Sequence, residues 1–315
     1  MHSIIFKCVK GVNEMKPPSY GKILAVGNEY IADLFKGDVE ITEKIDGSFV
    51  AAGCTKDNQV VMRSKGKELF YEDHEGMFDI FVNFVMEHEE WLLAHPGMYF
   101  YGEFLSKSKH NALAYDHVPR NNIMLFGVYE EGVGYYKTYK ELKHWANALD
   151  LDPVPLLYYG EIKDKEALEH FLTFDSILGN QKVEGVVVKN YEQTLLVGGK
   201  ICPQFGKLVR PEFKEKLNKT WTTGKDKVQV FIDSFRTEAR WQKAVQHLKD
   251  KGQLEGSPRD IGKLIVELKR DIIDEEENEI KLGLYKLFKD QILRKATAGF
   301  PEWFKEQLLN KQFED

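Results

Sequence analysis

One lysine in the sequence lies between acidic residues, where a strand-like run gives way to a turn. Lys44 is preceded by Glu43 and followed by Asp46 and Gly47, and residues 39–45 are rich in Val, Ile and Thr. β-Branched residues favour a strand and a glycine lets the backbone turn, so the pattern predicts a strand that ends near the lysine. A lysine amine without its proton is a nucleophile. By itself, however, Lys-x-Asp-Gly is common and is more typical of a charged surface hairpin.

Later runs also combine charged residues with strand-like segments. These are Glu103 in the aromatic run 99–104, Glu184 and Lys189 at the two ends of the apolar run 184–189, and Lys207 in the basic cluster 205–210. Taken alone, each of these runs is equally typical of an ordinary strand, because Lys and Glu residues usually lie at the solvated ends or faces of strands. Their order along the chain is more specific than any single run.

In order, these segments resemble the collinear motifs of the covalent nucleotidyltransferases, with a further aromatic strand at 123–129 between the second and third. That superfamily comprises DNA ligases, RNA ligases and mRNA capping enzymes, and the resemblance covers residues 20–215. The chain is most similar to the RNA ligase 2 group. As in that group, Thr42 and Glu43 precede the lysine and the motifs start close to the N-terminus.

The sequence pattern changes near residue 220. Before it, short runs bounded by Gly, Asp or Asn predict antiparallel strands, and the periodic runs 77–94, 140–149 and 165–172 predict helices. After it, the pattern predicts only helices. These are one at 228–251, one that starts at Ser257-Pro258 and continues through the acidic stretch 274–279, and two shorter ones split by residues 299–301.

The predicted fold class is therefore α+β, in two parts. Residues 1–220 are expected to form a nucleotidyltransferase (adenylyltransferase) domain on antiparallel β-sheets with flanking helices. Residues 221–315 are expected to form an all-α C-terminal domain. DNA ligases and capping enzymes carry a β-rich OB barrel in that place, so a helical tail favours the RNA ligase 2 group.

Composition limits the classes of protein that the chain can belong to. Of its 315 residues, 43% are hydrophobic and 30% are charged, which is typical of globular proteins. No apolar run approaches the roughly 18–20 residues of a membrane span, so no membrane partner is expected. Three widely separated cysteines predict neither a zinc site nor a disulfide framework and favour the cytoplasm. A net charge of −6 means that any nucleic-acid surface must be a local patch.

The resemblance implies a reaction in three nucleotidyl-transfer steps, with ATP and Mg²⁺ (or Mn²⁺) as cofactors. Lys44 would attack the α-phosphorus of ATP, release pyrophosphate and hold AMP as a phosphoramidate. AMP would then pass to a 5′-phosphate end, and a 3′-OH would displace it to form a phosphodiester. A free lysine has a pKa near 10.4, so nearby positive charge from the metal or Lys207 would favour the neutral amine.

The resemblance also implies a role for each matching residue. Lys44, Lys207 and Glu184 would be catalytic, with Glu184 also placing the divalent metal. The remaining residues would bind the nucleotide: Glu43 at adenine, Asp46 and Gly47 in the nucleophile motif, Arg63 at the nucleotide or 5′-phosphate, Glu103 at ribose, Phe126 stacked on adenine, and Lys189 and Lys207 at phosphates. For Phe126, a plain core position is an equal alternative.

The last motif departs from the group's pattern. RNA ligase 2 relatives carry two lysines one residue apart, whereas here Val209 follows Lys207 at that spacing and Arg210 lies beside it. Neighbours on a strand point to opposite faces, so Arg210 is an imperfect substitute. The departure falls in the motif that would serve the later steps of the reaction.

The expected partner is RNA with 3′-OH and 5′-phosphate ends, as a duplex or at a nick. Basic residues of the tail would suit a salt-sensitive RNA surface or an ordinary amphipathic bundle: Arg236, Arg240, Lys243, Arg259 and Lys263. Three alternatives stay open, namely a small ATP-dependent DNA ligase, a capping guanylyltransferase and a non-catalytic nucleic-acid-binding relative. The oligomeric state is not predicted.

Overall fold

The computed structural model describes residues 16–65, 67–197, 200–210 and 227–311. Its strands are β1 (Ile23–Ala25), β2 (Asp38–Lys44), β3 (Ser48–Cys54), β4 (Val60–Ser64), β5 (Glu68–Leu69), β6 (Met98–Phe104), β7 (Ile123–Glu130), β8 (Gly134–Tyr135), β9 (Asp152–Pro153), β10 (Leu156–Glu161), β11 (Gly185–Val197) and β12 (Lys200–Val209). Its α-helices are α1 (Asp79–Glu87), α2 (Glu89–Leu93), α3 (Tyr139–Ala148), α4 (Lys165–Glu169), α5 (Lys227–Asp233), α6 (Glu238–Asp250), α7 (Ile261–Ala296) and α8 (Phe300–Lys311).

The strands form two mainly antiparallel sheets, which confirms the predicted α+β class. The first sheet has the order β1-β12-β11-β2-β10, and the second has the order β5-β4-β3-β6-β7-β8, with β9 beside β7. Two short strands run parallel to their neighbours, β1 beside β12 and β9 beside β7. Consecutive strands β2 and β3 belong to different sheets, so the three residues between them, 45–47, carry the chain from one sheet to the other. We call residues 45–47 the crossover.

Side-chain alternation gives each sheet one apolar face and one mixed face. On β2, Val39 and Ile41 pack into a core with residues of β11 and β12, while Glu40, Thr42 and Lys44 lie on the other face. On β6, Phe100 and Phe104 pack towards α1 and α2. Tyr99 and Tyr101 lie on the other face in an aromatic cluster.

Tyr20 joins the two mixed faces. Its ring stacks on Phe205 of the first sheet, with centroids 5.4 Å apart, and meets Phe126 of the second sheet edge-on at 5.0 Å. Aromatic contacts in these geometries add to the stability that burial alone gives. The mixed faces therefore oppose each other, and the segment before β1 lies between them.

The chain divides into two compact units, one of residues 1–213 with 246–254 and the other of residues 214–245 with 255–315. The predicted domain boundary near residue 220 falls at residues 211–226, outside the described residues. Within the part of the chain that the structure describes, no helix has the length and apolar character needed to cross a bilayer.

Two predicted helix boundaries in the tail were wrong. The helix expected at 228–251 is split into α5 and α6, because the Ser234 hydroxyl bonds the Phe231 carbonyl at 2.6 Å and Thr237 caps the Arg240 amide at 3.3 Å. Such side-chain bonds compete with a continuous helix. Further on, α7 continues without a break to Ala296, and α8 is the one helix after it in the part of the chain that the structure describes. The predicted start at Ser257 is confirmed, with a capping box that includes Asp260.

Arg240 is buried in the helical unit, at 1% exposure. Its guanidinium forms an ion pair with Asp271 and another with Glu276 at 2.9 Å. Arg240 therefore contributes to the interior of the bundle and not to a surface for RNA. Lys243 also reaches Asp271, at 3.1 Å.

We expect Arg240→Met to lower the free energy of unfolding by about 3–5 kcal/mol, because it leaves two carboxylates that are only 12% and 13% exposed without their main partner. Urea denaturation followed by far-UV circular dichroism measures this change. Arg236→Met is the matched control, since Arg236 is 69% exposed and pairs only at the surface with Asp233. Equal effects of the two substitutions would contradict a structural role for Arg240.

Candidate active site

Lys44 is the last residue of β2, and its ammonium contacts the carboxylate of Glu184. The Lys44 Nζ lies 2.8 Å from Oε1 and 2.6 Å from Oε2. The side chains are 25% and 9% exposed, so the pair is largely withdrawn from water. Gly185 pairs with Lys44 in the sheet. A Cβ at Gly185 would lie 2.4 Å from the Leu208 carbonyl oxygen, so only glycine lets β11 and β12 approach this closely.

Glu103 reaches the same place from the second sheet. Its Oε1 accepts the Gly47 amide proton at 3.2 Å, and a Cβ at Gly47 would lie 2.8 Å from the Glu103 Cγ. Glycine at position 47 therefore lets the crossover pack directly on the Glu103 side chain. In this way the crossover brings one carboxylate from each sheet to Lys44.

The charges of the site act on one another. Burial alone lowers the pKa of the Lys44 amine, but the carboxylates of Glu184, Glu103 and Asp46 together outweigh burial and hold that pKa above its usual value. Burial raises the pKa of the Glu103 carboxyl to about 7, against the attraction of Lys44. The site therefore holds Lys44 as an ammonium ion and keeps Glu103 near its titration point at neutral pH.

Glu43 and Asp46, on either side of Lys44, are each held by backbone amides. Glu43 is 2% exposed, and its Oε2 accepts the Ile177 amide proton at 3.1 Å. Its Oε1 is buried without a hydrogen-bond partner among the described residues. Burial raises the pKa of the Glu43 carboxyl, with hydrogen bonds from residues 176 and 177 opposing the shift. The Asp46 Oδ2 accepts amide protons from residues 112 and 113, at 2.8 and 2.7 Å.

Lys189 and Phe126 lie together further along the mixed faces. Lys189 is 2% exposed, and its Nζ donates to the Phe126 carbonyl oxygen at 2.6 Å. Burial lowers the pKa of the Lys189 amine to about 8, with Glu40 opposing the shift. Lys189 therefore joins the two sheets through a backbone oxygen, and the Phe126 ring is half-buried in the aromatic cluster.

Arg63 is occupied by the segment before β1. Its Nη1 donates to the Pro17 carbonyl at 3.3 Å and to the Ser19 hydroxyl at 3.2 Å, and its Nη2 donates to the Lys65 carbonyl at 2.9 Å. Tyr101 donates to the Pro18 carbonyl at 3.0 Å. The structure therefore shows Arg63 as an anchor for residues 16–21 and does not bring it to Lys44.

Lys207 shares the mixed face of the first sheet with Lys44. Lys207 pairs with Val187, which in turn pairs with Thr42, two residues before Lys44. Val209 pairs with Gly185, which pairs with Lys44, so Val209 lies level with Lys44 across the sheet. Directly paired residues project from the same face, and two residues along a strand span about 6.6 Å. Lys207 is half-buried, and within the described ranges its ammonium has no hydrogen-bond or ion-pair partner. Val209 occupies the position where the related group has its second lysine.

The carboxylates suit a metal that keeps most of its own water. Among the described residues, no group of three or more His, Cys, Asp or Glu side chains is arranged to hold a metal ion. Mg²⁺ is usually bound through one or two carboxylates together with water and substrate phosphates. Glu184 fits that mode, and a site built wholly from protein ligands is not required.

A family model described as RNA ligase matches residues 37–209, more than half of the chain. The chain belongs to the RNA ligase family. In this RNA ligase family member, the matched range contains every candidate catalytic and nucleotide-binding residue, from Glu43 to Lys207.

This RNA ligase family member is similar to solved structures of an RNA ligase from Naegleria gruberi. The form with PPi is 20% identical, with 60% of this chain and 56% of that chain covered and a TM-score of 0.43. A lysine-to-methionine variant with AMP and Mn is 19% identical, with 61% and 55% covered and a TM-score of 0.44. The chain thus spans about half the length of those ligases. Comparison with curated proteins gives no match.

The sequence patterns missed the loop of residues 106–115, which follows β6 and contacts the crossover. His110 bonds Ser48 at 2.8 Å, the Asn111 side chain donates to the Gly47 carbonyl at 2.7 Å, and the Asp46 amide donates to Tyr115 at 2.8 Å. A polar run directly after the Glu103 strand was the available signal. It carried no motif, and only the fold places it beside Lys44.

We expect Glu103→Gln to gain stability relative to the wild type as pH rises. The pKa of Glu103 is about 7 in the folded protein and near 4.5 otherwise, so the folded state holds a proton that the unfolded chain releases. That contribution is complete below about pH 4.5 and is lost as pH rises through about 7. Urea midpoints at pH 5 and pH 8 measure the change, with exposed Glu72→Gln as the control. A wild-type-to-variant difference that is the same at both pH values would contradict it.

Proposed function

We propose that this chain is an ATP-dependent RNA ligase that joins 3′-OH and 5′-phosphate ends through lysyl-AMP and AMP-capped RNA. The observation that carries the proposal is the Lys44 ammonium held by Glu184, with Glu103 brought to it from the other sheet. An ion pair between Lys44 and Glu184 could form without a glycine at position 47. Gly47 lets the crossover pack closely on Glu103, and such close packing is what a nucleophile needs if it is to be aligned with a triphosphate.

Lys44 would attack the α-phosphorus of ATP. The new bond joins Nζ to phosphorus, and the bond that breaks joins phosphorus to the pyrophosphate oxygen. The amine must first lose its proton, and the Glu184 carboxylate at 2.6 Å is the nearest acceptor. Mg²⁺ or Mn²⁺ held by Glu184 would supply positive charge that favours the neutral amine and offsets charge on the phosphates.

The groups around Lys44 offer a place for the nucleotide. Glu43 lies beside Lys44 on the opposite face of β2, where its Oε1 is a buried acceptor with no partner among the described residues, and the adenine amino group would satisfy it. Glu103 would accept from the ribose hydroxyls, and Phe126 would supply the flat ring beside the base. Lys189 pairs with Glu40, which lies four residues before Lys44 on β2. The distance along the strand from Lys44 to this pair is therefore about 13 Å, enough for an extended nucleotide.

Phosphate neutralisation is assigned mainly to Lys207. Its half-buried ammonium shares the face of Lys44 and has no protein partner within the described residues. Lys189 would act on the phosphates only through its charge, because its Nζ already donates to the Phe126 carbonyl oxygen. The Arg210 amide donates to the Glu184 carbonyl at 3.0 Å, so Arg210 would help to place Glu184 and only partly replace a second lysine.

We propose nicked duplex RNA as the substrate and RNA repair in the cytoplasm as the setting. Residues 1–220 would form the catalytic domain, and the helical domain at 221–315 would bind the RNA duplex by shape, as A-form helices are read. Exposed basic residues outside the bundle interior, such as Arg259 and Lys263, are the candidates for that contact. The family match supports RNA as the substrate class.

Lys44→Ala is expected to abolish covalent AMP transfer. Incubated with ATP and Mg²⁺, the wild type should gain one AMP on the peptide that contains Lys44, as located by mass spectrometry. Lys36→Ala is the matched control, because Lys36 is 68% exposed and pairs only with Asp33. AMP on another residue, or unchanged labelling of Lys44→Ala, would refute the nucleophile assignment.

Matched nicks in RNA, DNA and hybrid duplexes test the substrate. We expect the all-RNA nick to be sealed fastest, with 3′-OH and 5′-phosphate ends both required. Faster sealing of the all-DNA nick would replace the proposal with a DNA ligase. Labelling from GTP in preference to ATP would indicate a capping-type guanylyltransferase.

A further inference from the structure

The loop of residues 106–115 holds the crossover at consecutive positions. The Asp46 Oδ2 accepts two amide protons from this loop, at 2.8 and 2.7 Å, and the Asp46 amide donates to Tyr115 at 2.8 Å. Asn111 donates to the Gly47 carbonyl at 2.7 Å. The loop therefore binds the crossover through both its backbone and its side chains.

His110 continues this series to Ser48, the first residue of β3. The imidazole is 1% exposed, and its Nε2 lies 2.8 Å from the Ser48 Oγ. Its Nδ1 accepts the Ser106 amide proton at 3.0 Å. A backbone amide can only donate, so Nδ1 carries no proton and Nε2–H donates to Ser48. The ring is thus fixed as one neutral tautomer by partners on both sides.

The position of Ser48 matters because of the path of the chain. Lys44 ends a strand of the first sheet and Ser48 begins a strand of the second, with only the crossover between them. A shift at Ser48 therefore moves Lys44 relative to Glu103. A displacement of about 1 Å at a reacting group can cost about 100-fold in rate.

We infer that His110 is a positioning residue, which holds Ser48 and thereby sets Lys44 for attack on the triphosphate. This inference rests on the proposed function and adds a residue that carries no motif. We assign His110 a role through Ser48, because its imidazole bonds the Ser48 hydroxyl on one side and the Ser106 amide on the other. Its effect is confined to the step in which Lys44 is the nucleophile, because sealing of RNA that already carries AMP makes no new bond to Lys44.

Two substitutions of His110 test its two hydrogen bonds, to Ser48 and to Ser106, one at a time. His110→Gln keeps a donor at the distance of Nε2 and so keeps the bond to Ser48. His110→Asn keeps an acceptor near Nδ1 for the Ser106 amide and loses the bond to Ser48. Ser48→Ala removes the same bond from the other side and leaves the imidazole in place. His117→Asn is the control, because His117 is an exposed histidine close to this loop.

Two assays on the full chain give the readouts, with far-UV circular dichroism and thermal melting to confirm folding. One measures the rate constant and the KM for ATP of lysyl-AMP formation. The other measures sealing of a nicked RNA whose 5′-phosphate already carries AMP, without ATP. We expect His110→Asn and Ser48→Ala to slow lysyl-AMP formation by about 10-fold or more, with KM changed by less than about threefold. His110→Gln and His117→Asn should stay within about threefold of the wild type in both assays.

Sealing of the AMP-capped RNA should stay within about threefold for all four variants. Equal losses in both assays, or equal losses with Gln and Asn at position 110, would show a merely structural histidine and overturn the inference. So would an unchanged rate in both His110→Asn and Ser48→Ala. A wild type that forms no lysyl-AMP overturns the proposed function itself, and this inference with it, which is a different result from a selective loss in the variants.

Discussion

The site depends on the chain crossing from one sheet to the other within three residues of Lys44. Because β2 ends at Lys44 and β3 begins at Ser48, the strand neighbours of each sheet are brought to the same point. Glu184 arrives through the first sheet and Glu103 through the second. Gly47 and Gly185 make this possible, since a Cβ at either would overlap neighbouring atoms. The cluster of opposite charges therefore follows from the backbone path.

The pKa values of Lys44 and Lys189 shift in opposite directions. Carboxylates near Lys44 raise the pKa of its amine in spite of burial, whereas Lys189 has mainly burial and a carbonyl partner, and its pKa falls to about 8. A buried charge is tolerated only when it is paired or hydrogen-bonded. Lys189 is hydrogen-bonded to the Phe126 carbonyl of the other sheet. Lys44 is paired with Glu184, a carboxylate that a bound metal would share.

The strands of the first part were predictable because β-branched and aromatic residues cluster in short runs that Gly, Asp or Asn residues bound. Runs such as 98–104 and 123–129 appear in the fold almost as expected, as β6 and β7. The helices of the tail were less predictable. Local bonds of Ser234 and Thr237 divide one periodic run, and nothing in the run 274–296 stops α7. The sequence left open whether Arg240 belongs to an RNA surface or to a helical bundle, because its partners Asp271 and Glu276 lie 31 and 36 residues away in α7.

The sequence by itself, through the order of its motifs and their resemblance to the covalent nucleotidyltransferases, predicted which amine, carboxylates and cations would form the site. It also determined the α+β class, through β-rich runs bounded by turn residues and through apolar residues at helical spacing. Only the tertiary structure decided which of those residues meet. It brings Glu103 and Glu184 to Lys44, gives Lys189 to a carbonyl and Arg63 to residues 16–21, and sets His110 behind the crossover. The reason is that these contacts join positions far apart in the chain, where no local spacing records the distance.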